Sequence, residues 1–134
     1  RFEALYQGGL WKRETLLCEP TFLQRIAERL PIGIVTGRPR HDAVRFLETF
    51  GIAQYVRSLV CLEDAALKPS PEPVLLALEQ LGVTRAWMVG DTPDDIVAAR
   101  AARVVPLGVG DRALAACGAA RVYDEVSQIE ELLP

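Results

Sequence analysis

The sequence has no asparagine, two lysines, one histidine and no long hydrophobic run. A membrane-spanning helix needs about 20 consecutive apolar residues, so no membrane partner is predicted. The net charge of -3 and the lack of a basic cluster argue against a nucleic-acid partner. The three cysteines, Cys18, Cys61 and Cys117, lack metal-ligand spacing. Without a signal peptide, they favour buried side chains in a reducing, cytoplasmic protein.

Short apolar runs alternate with longer amphipathic segments along most of the chain. The runs are apolar on both faces, as expected of parallel strands that are covered by helices on both sides. The alternation therefore predicts a three-layer α/β fold with a parallel sheet. The predicted strands cover residues 32–35, 59–62, 86–89 and 104–109, and the predicted helices cover residues 20–30, 39–50, 70–81 and 92–102.

Residues 1–19 do not join this alternation. They are predicted to be a helical or irregular tail of a neighbouring module, whereas residues 20–134 form the core domain. The first residue is Arg1 and not methionine, so the chain is expected to start inside a longer protein or to follow a cut.

The first predicted strand ends in Thr36-Gly37-Arg38-Pro39. Ligands bind at the carboxyl ends of the strands in an open parallel sheet. A hydroxyl and backbone N–H groups at the start of a helix can bind an anion there. An ordinary turn into a helix that starts with proline explains the same residues equally well.

Two further segments fall at the same edge of the predicted sheet. Lys68 stands before the proline-bracketed start of a helix, where an ammonium group can neutralise a phosphate, although a solvated loop lysine is the commoner case. Asp91 ends the third strand, where a carboxylate can hold a hard cation. Asp94 and Asp95 also suit the first turn of a helix that is capped by Thr92, so they are weaker candidates as metal ligands.

The order of these segments is more specific than any one of them. Thr36 after a strand, Lys68-Pro69 before a helix, and Gly90-Asp91 with Asp95 four residues later resemble motifs II, III and IV of the haloacid dehalogenase superfamily. The wider segments 33–39, 68–73 and 89–96 are similar to its phosphoglycolate-phosphatase-like branch in subfamily I. Residues 1–19 resemble the end of the helical cap in these enzymes.

This resemblance implies a Rossmann-like core and a magnesium-dependent phosphatase that acts on a small phosphorylated metabolite through an aspartyl-phosphate intermediate. Thr36 would bind the phosphoryl oxygens with help from Gly37 and Arg38, and Lys68 would balance the charge of the phosphoryl group. Mg²⁺ would be bound by Asp91, and Asp95 would ligate the ion or orient its waters.

One motif of the family is missing. Motif I is Asp-x-Asp on the central strand, and no two of the seven aspartates are two residues apart. The chain alone is therefore expected to be inactive. Three outcomes are expected for the missing strand: an upstream segment of the same protein supplies it, another chain supplies it, or the two flanking strands pair directly and distort the site. Without that strand, residues 32–36 and 86–90 should not pair with each other in an undistorted sheet.

Two other interpretations remain open from the sequence. The segment Gly108-Val109-Gly110-Asp111-Arg112-Ala113 is a loose dinucleotide fingerprint, which would suit a nucleotide-binding module. Alternatively, the domain is a non-catalytic relic that retains phosphate and metal sites for binding alone.

Overall fold

The computed structural model describes residues 20–133, in which strands and helices alternate as predicted. The predicted cap tail, residues 1–19, lies outside the described residues, as does Pro134. No helix within residues 20–133 is long and apolar enough to cross a membrane. The elements are α1 (Pro20–Ala27), β1 (Ile32–Val35), α2 (Arg40–Thr49), β2 (Val56–Val60), α3 (Glu72–Leu81), β3 (Trp87–Gly90), α4 (Pro93–Ala101), β4 (Val105–Val109) and β5 (Arg121–Tyr123), with 3₁₀ helices at Ala53–Tyr55, Arg112–Cys117 and Val126–Leu132.

The strands form two separate parallel sheets. One sheet contains β1 and β2, and the other contains β3, β4 and β5 in that order. Within residues 20–133, β1 and β3 do not form a ladder with each other, in agreement with the prediction that these two strands would not pair in an undistorted sheet. Within each sheet the strands are parallel, so the carboxyl ends of β1 and β2 share one edge and those of β3, β4 and β5 share another.

Helices pack on both faces of the sheets, and the predicted three-layer α/β architecture is confirmed. Ala43, Phe46 and Leu47 of α2 pack with Cys61 in one buried cluster. The other cluster joins α3, α4 and β3. Because α3 contacts β1 and β2 as well as α4, it connects the two sheets.

The helix ends follow the local signals in the sequence. Gly82 ends α3 with a φ of 70°, a backbone conformation that glycine adopts without steric cost. Thr92 caps α4, and Pro93 is its first residue, as predicted. Ser70 was expected to cap α3, but the helix begins at Glu72, and Pro71 holds the cap position. The Ser70 hydroxyl still accepts a hydrogen bond from the Glu72 N–H at 3.2 Å.

Two strand predictions differ from the structure. The second strand was expected over residues 59–62, but β2 covers Val56–Val60. It is an edge strand, so it can contain the exposed Arg57 and the polar Ser58. Ser58 is buried, and its hydroxyl donates to Oε1 of Gln80 on α3 at 2.6 Å. The short strand β5 was not predicted because it has only three residues and begins with an exposed arginine.

Candidate functional site

Lys68 lies between the carboxyl ends of β1 and β3. Its Nζ atom is 2.5 Å from Oδ1 of Asp95 and 3.5 Å from the carbonyl oxygen of Val35, the last residue of β1. The side chains of Lys68 and Asp95 are 11% and 4% exposed. A nearly buried ion pair therefore joins the end of β1 to the first turn of α4, the helix that follows β3.

Both carboxylate oxygens of Asp95 have N–H or ammonium partners. Oδ1 accepts from Lys68, and Oδ2 accepts from the backbone N–H groups of Asp91 and Thr92 at 3.1 and 3.2 Å. The Asp95 N–H in turn donates to the Thr92 hydroxyl, which completes a capping box. Burial alone would raise the pKa of Asp95, but the charge and hydrogen bond of Lys68 outweigh it and hold the pKa below its ordinary value.

Gly90 makes room for this carboxylate at the end of β3. A Cβ atom at position 90 would lie 2.6 Å from both Cγ and Oδ2 of Asp95, which is too close for real atoms. Glycine at this position therefore lets the first turn of α4 fold back over the end of the strand. Glycine at position 90 is explained by this close approach.

Thr36 follows β1 and is 4% exposed. Its hydroxyl accepts from the Arg38 N–H at 3.1 Å, and its own N–H donates to the carbonyl oxygen of Val60 on β2 at 2.9 Å. The next N–H group at the start of α2, that of Arg40, donates to the carboxylate of Glu63. Glu63 already occupies the N–H group at the start of α2. An anion bound by Thr36, Gly37 and Arg38 would therefore lie at the turn before the helix and not at the helix start itself.

The two predicted magnesium ligands occupy different surroundings. Asp91 follows β3 and is half-buried at the rim of a cavity, whereas Asp95 is engaged with Lys68 and the backbone. Within residues 20–133, no group of three or more His, Cys, Asp or Glu side chains is arranged to hold a metal ion. Because Mg²⁺ often takes only one or two ligands from carboxylates, Asp91 remains a candidate for a single ligand.

A cavity of about 920 Å³ lies between the two sheets. All four residues of β1 line one side of it, and residues 87–89 of β3 line another. Lys68, Asp91 and Asp95 line the same cavity, whereas the predicted phosphate-binding residues Thr36, Gly37 and Arg38 are not among the described residues that line it. Its walls also include Phe22, Leu23 and Ile26 of α1, Val74, Ala77, Leu78 and Leu81 of α3, and Val126 and Ile129 near the carboxyl end of the described chain.

The loose dinucleotide fingerprint is hydrogen-bonded to β5 and within its own turn. Gly110 N–H donates to the carbonyl oxygen of Tyr123 at 2.8 Å, and Oδ1 of Asp111 accepts from the Ala113 N–H at 2.9 Å. Arg112 contacts the Val122 carbonyl oxygen at 3.2 Å. These contacts give the fingerprint residues a structural role, which weakens the nucleotide-binding interpretation.

Sequence reasoning missed the acid pair Glu63 and Asp64. Glu63 accepts from the Arg40 N–H, and Asp64 forms an ion pair with the Arg40 guanidinium. The only local signal was the start of α2, where Pro39 occupies the cap position and makes no side-chain capping bond. A helix start without its own cap indicates that another segment supplies the acceptor.

Comparison with known proteins gives consistent matches. The sequence model of the haloacid dehalogenase-like hydrolases matches residues 20–109. The chain is 51% identical over 118 residues to an imidazoleglycerol-phosphate dehydratase of Phytophthora nicotianae, a match that covers 81% of this chain and 26% of that protein. It is 37% identical over 92 residues to a phosphoglycolate phosphatase of Yersinia pseudotuberculosis, a match that covers 66% of this chain and 40% of that protein. The chain thus spans less than half the length of these relatives.

A solved structure of the same family has a similar fold. A HAD-superfamily hydrolase of subfamily IA from Geobacter sulfurreducens superposes with a TM-score of 0.76 at 27% identity. The match covers 86% of this chain and 58% of that one.

Proposed function

Because the chain belongs to the haloacid dehalogenase-like hydrolase family, we propose that the complete protein is a phosphatase that hydrolyses a small phosphomonoester. The position of Lys68 between the ends of the two sheets carries this proposal. Lys68 contacts the carbonyl oxygen of Val35, the residue before Thr36, and the Asp95 carboxylate, which also binds the Asp91 N–H. This cation would provide charge where a phosphoryl group needs it, and Asp95 already orients it before substrate binds.

The phosphoryl group would be bound from two sides. The Thr36 hydroxyl and the Gly37 N–H would donate to its oxygens, and Lys68 would neutralise part of its negative charge. Arg38 would contact the substrate from the core side. Phosphoglycolate is a suitable first substrate to assay because one relative is a phosphoglycolate phosphatase.

The proposed reaction has two displacements at phosphorus. A carboxylate oxygen attacks the phosphorus atom, the bond from phosphorus to the ester oxygen breaks, and the alcohol leaves after it gains a proton from a neighbouring acid. That acid, now a base, takes a proton from water, and the water oxygen attacks the phosphorus atom. The acyl-phosphate bond breaks, and inorganic phosphate and the carboxylate are released.

Magnesium is the proposed cofactor. When bound, it would supply positive charge to the phosphoryl oxygens. Asp91 would be a ligand, and Asp95 would hold Asp91 and Lys68 in place. Mg²⁺ prefers six oxygen ligands and often takes only one or two of them from carboxylates, so water, substrate and residues beyond the described part would complete the set.

The attacking carboxylate would come from an extended segment between β1 and β3. A strand that pairs on both sides needs neighbours about 10 Å apart, twice the usual spacing. The cavity of about 920 Å³ lies between these two strands, and its walls are mainly apolar residues, which suits the side chains of a buried strand. We propose that an upstream segment of the same protein or another chain supplies this strand.

Competing functions make different predictions. A relic would bind phosphate without hydrolysing any phosphomonoester, and the sequence upstream of Arg1 would lack Asp-x-Asp. The dehydratase named among the relatives is a protein of which this chain covers 26%, so its dehydration reaction is not transferred to this chain.

The test is phosphate release by the complete protein with phosphoglycolate and other small phosphomonoesters, with and without Mg²⁺. Lys68→Met should lower kcat/KM by about 100-fold or more because it removes the fixed positive charge. Arg57→Met is the matched control, since Arg57 is an exposed cation near the amino end of β2. Full activity in Lys68→Met, or no phosphate release from any substrate by the unaltered protein, would contradict the proposal.

A further inference from the structure

The turn that carries Thr36 runs beside the segment that follows β2. The Thr36 N–H donates to the Val60 carbonyl oxygen at 2.9 Å, and the Leu62 N–H donates to the Arg38 carbonyl oxygen at 2.9 Å. These two hydrogen bonds extend the contact between β1 and β2 beyond the ends of both strands. The end of β2 and the segment after it are therefore hydrogen-bonded to the Thr36 turn on both sides of Gly37.

Arg40, the first residue of α2, is held by two acids of that segment. Its backbone N–H lies 3.0 and 3.2 Å from the carboxylate oxygens of Glu63. Its guanidinium donates to the Leu59 carbonyl oxygen at 3.0 Å and forms an ion pair with Asp64. Glu63 thus supplies the negative charge that the start of a helix favours and that Pro39 does not provide.

Asp64 is itself held in place by the backbone. Its Oδ2 atom accepts from the Cys61 N–H at 2.7 Å, and the Asp64 N–H donates to the Cys61 carbonyl oxygen at 3.0 Å. The Cys61 hydrogen bond holds the pKa of Asp64 below its ordinary value against the opposing effect of burial, and Arg40 lowers it further. Asp64 is therefore ionised at neutral pH and ready to bind the guanidinium.

We propose that Glu63 and Asp64 are positioning residues for the Thr36 turn. The two acids hold Arg40, which lies at the carboxyl-terminal end of the turn. The Val60 carbonyl oxygen holds Thr36, which lies at the start of the turn. The inference rests on the proposed function of Thr36 in phosphate binding. A turn that is held at both ends loses less entropy when it binds a phosphoryl group, so the acids act on affinity through the turn.

The test uses the complete protein and measures KM and kcat for a phosphomonoester and the inhibition constant of inorganic phosphate. Asp64→Asn and Glu63→Ala should each raise KM and the inhibition constant by about 3- to 10-fold while kcat changes by less than about twofold. Glu63→Gln should be closer to the unaltered protein, because its amide oxygen still accepts from the Arg40 N–H. Asp42→Asn is the matched control, since Asp42 contacts Arg45 within α2.

A double-mutant cycle adds a second readout. If Asp64 acts through Arg40, the effects of Asp64→Asn and Arg40→Met on the inhibition constant should be clearly less than additive in the double variant. If Asp64→Asn does not fold, Glu63→Ala and Glu63→Gln carry the test with the same expectations.

Three results would overturn the proposal. One is a lower Tm in Asp64→Asn and Glu63→Ala with unchanged KM and inhibition constant, which would mean a purely structural role. Another is an equal rise in KM for Asp42→Asn. An unaltered protein that neither hydrolyses phosphomonoesters nor binds phosphate would remove the proposed function and this inference together, whereas an active protein with unaffected variants would remove this inference alone.

Discussion

Lys68 Nζ lies 2.5 Å from Oδ1 of Asp95, although the two residues are 27 positions apart in the sequence. The pair connects the loop before α3 to the first turn of α4. Breaking such a pair by removing one partner is costly because the other charge stays buried without compensation. The same contact therefore stabilises the fold and positions the cation of the proposed site.

We expect Asp95→Ala to destabilise the complete protein by about 3–5 kcal/mol. The variant removes the partner of Lys68 and the acceptor of two backbone N–H groups. Asp94→Ala, at the exposed neighbouring position, should cost less than about 1 kcal/mol because only its interaction with the helix dipole is lost. Urea denaturation measures both, and similar losses would show that Asp95 is not the anchor described here.

Gly90→Ala should be more damaging than Gly33→Ala. The new methyl group at position 90 would overlap the Asp95 carboxylate, whereas at position 33 the nearest atom would be the end of the flexible Leu81 side chain at 3.1 Å. We expect a loss of about 1–3 kcal/mol for Gly90→Ala and a smaller one for Gly33→Ala. Thermal unfolding of the two variants checks this, and the reverse order would exclude the close approach.

Asp64 should contribute stability that depends on pH. Its pKa is lower in the folded protein than the value of about 3.9 expected when unfolded, so its contribution is complete above that value and is lost as the pH falls through the folded pKa. The side chain is partly exposed, so Asp64→Asn should cost up to about 1 kcal/mol at pH 7 and nothing in strong acid. Unfolding curves of both proteins across this range provide the test, and a difference that grows on acidification would contradict it.

The cavity between the sheets predicts a pattern of hydrogen exchange. In the complete protein, β1 and β3 should be protected by the added strand, whereas in the 134-residue chain alone their protection should fall by about 10-fold or more. Strand β4 is the internal control because it pairs with β3 and β5. Equal protection of β1, β3 and β4 in the shorter chain would mean that no further strand is needed.

Local features of the fold could be predicted from the sequence. The ends of α3 and α4 were predicted because Gly82, Thr92 and Pro93 act within a few residues of the backbone that they shape. The predicted start of β2 was three residues too late, because the charged Arg57 and the polar Ser58 interrupt the apolar run. Ser58 is buried against Gln80 of α3, a contact between residues that are far apart in the sequence.

The prediction of the candidate site rests on strand order. Lys68, Asp91 and Thr36 each follow a strand or precede a helix, and the parallel sheet brings such positions to one edge. The contacts of Arg40 with Glu63 and Asp64 could not be predicted, because they depend on how two loops 23 and 24 residues apart lie against each other. The engagement of Asp95 with Lys68 is likewise a product of the folded geometry.

The most direct test of the account is Mg²⁺-dependent phosphate release by the complete protein carrying Asp91→Asn, measured beside Asp94→Asn. Asp91 follows the end of β3 and is the proposed metal ligand, whereas Asp94 lies exposed on the first turn of α4. We predict that Asp91→Asn abolishes the Mg²⁺-dependent rate and leaves the fold intact, and that Asp94→Asn changes this rate by less than about threefold. Equal and large losses in both variants, or full activity in Asp91→Asn, would contradict the assignment of the site.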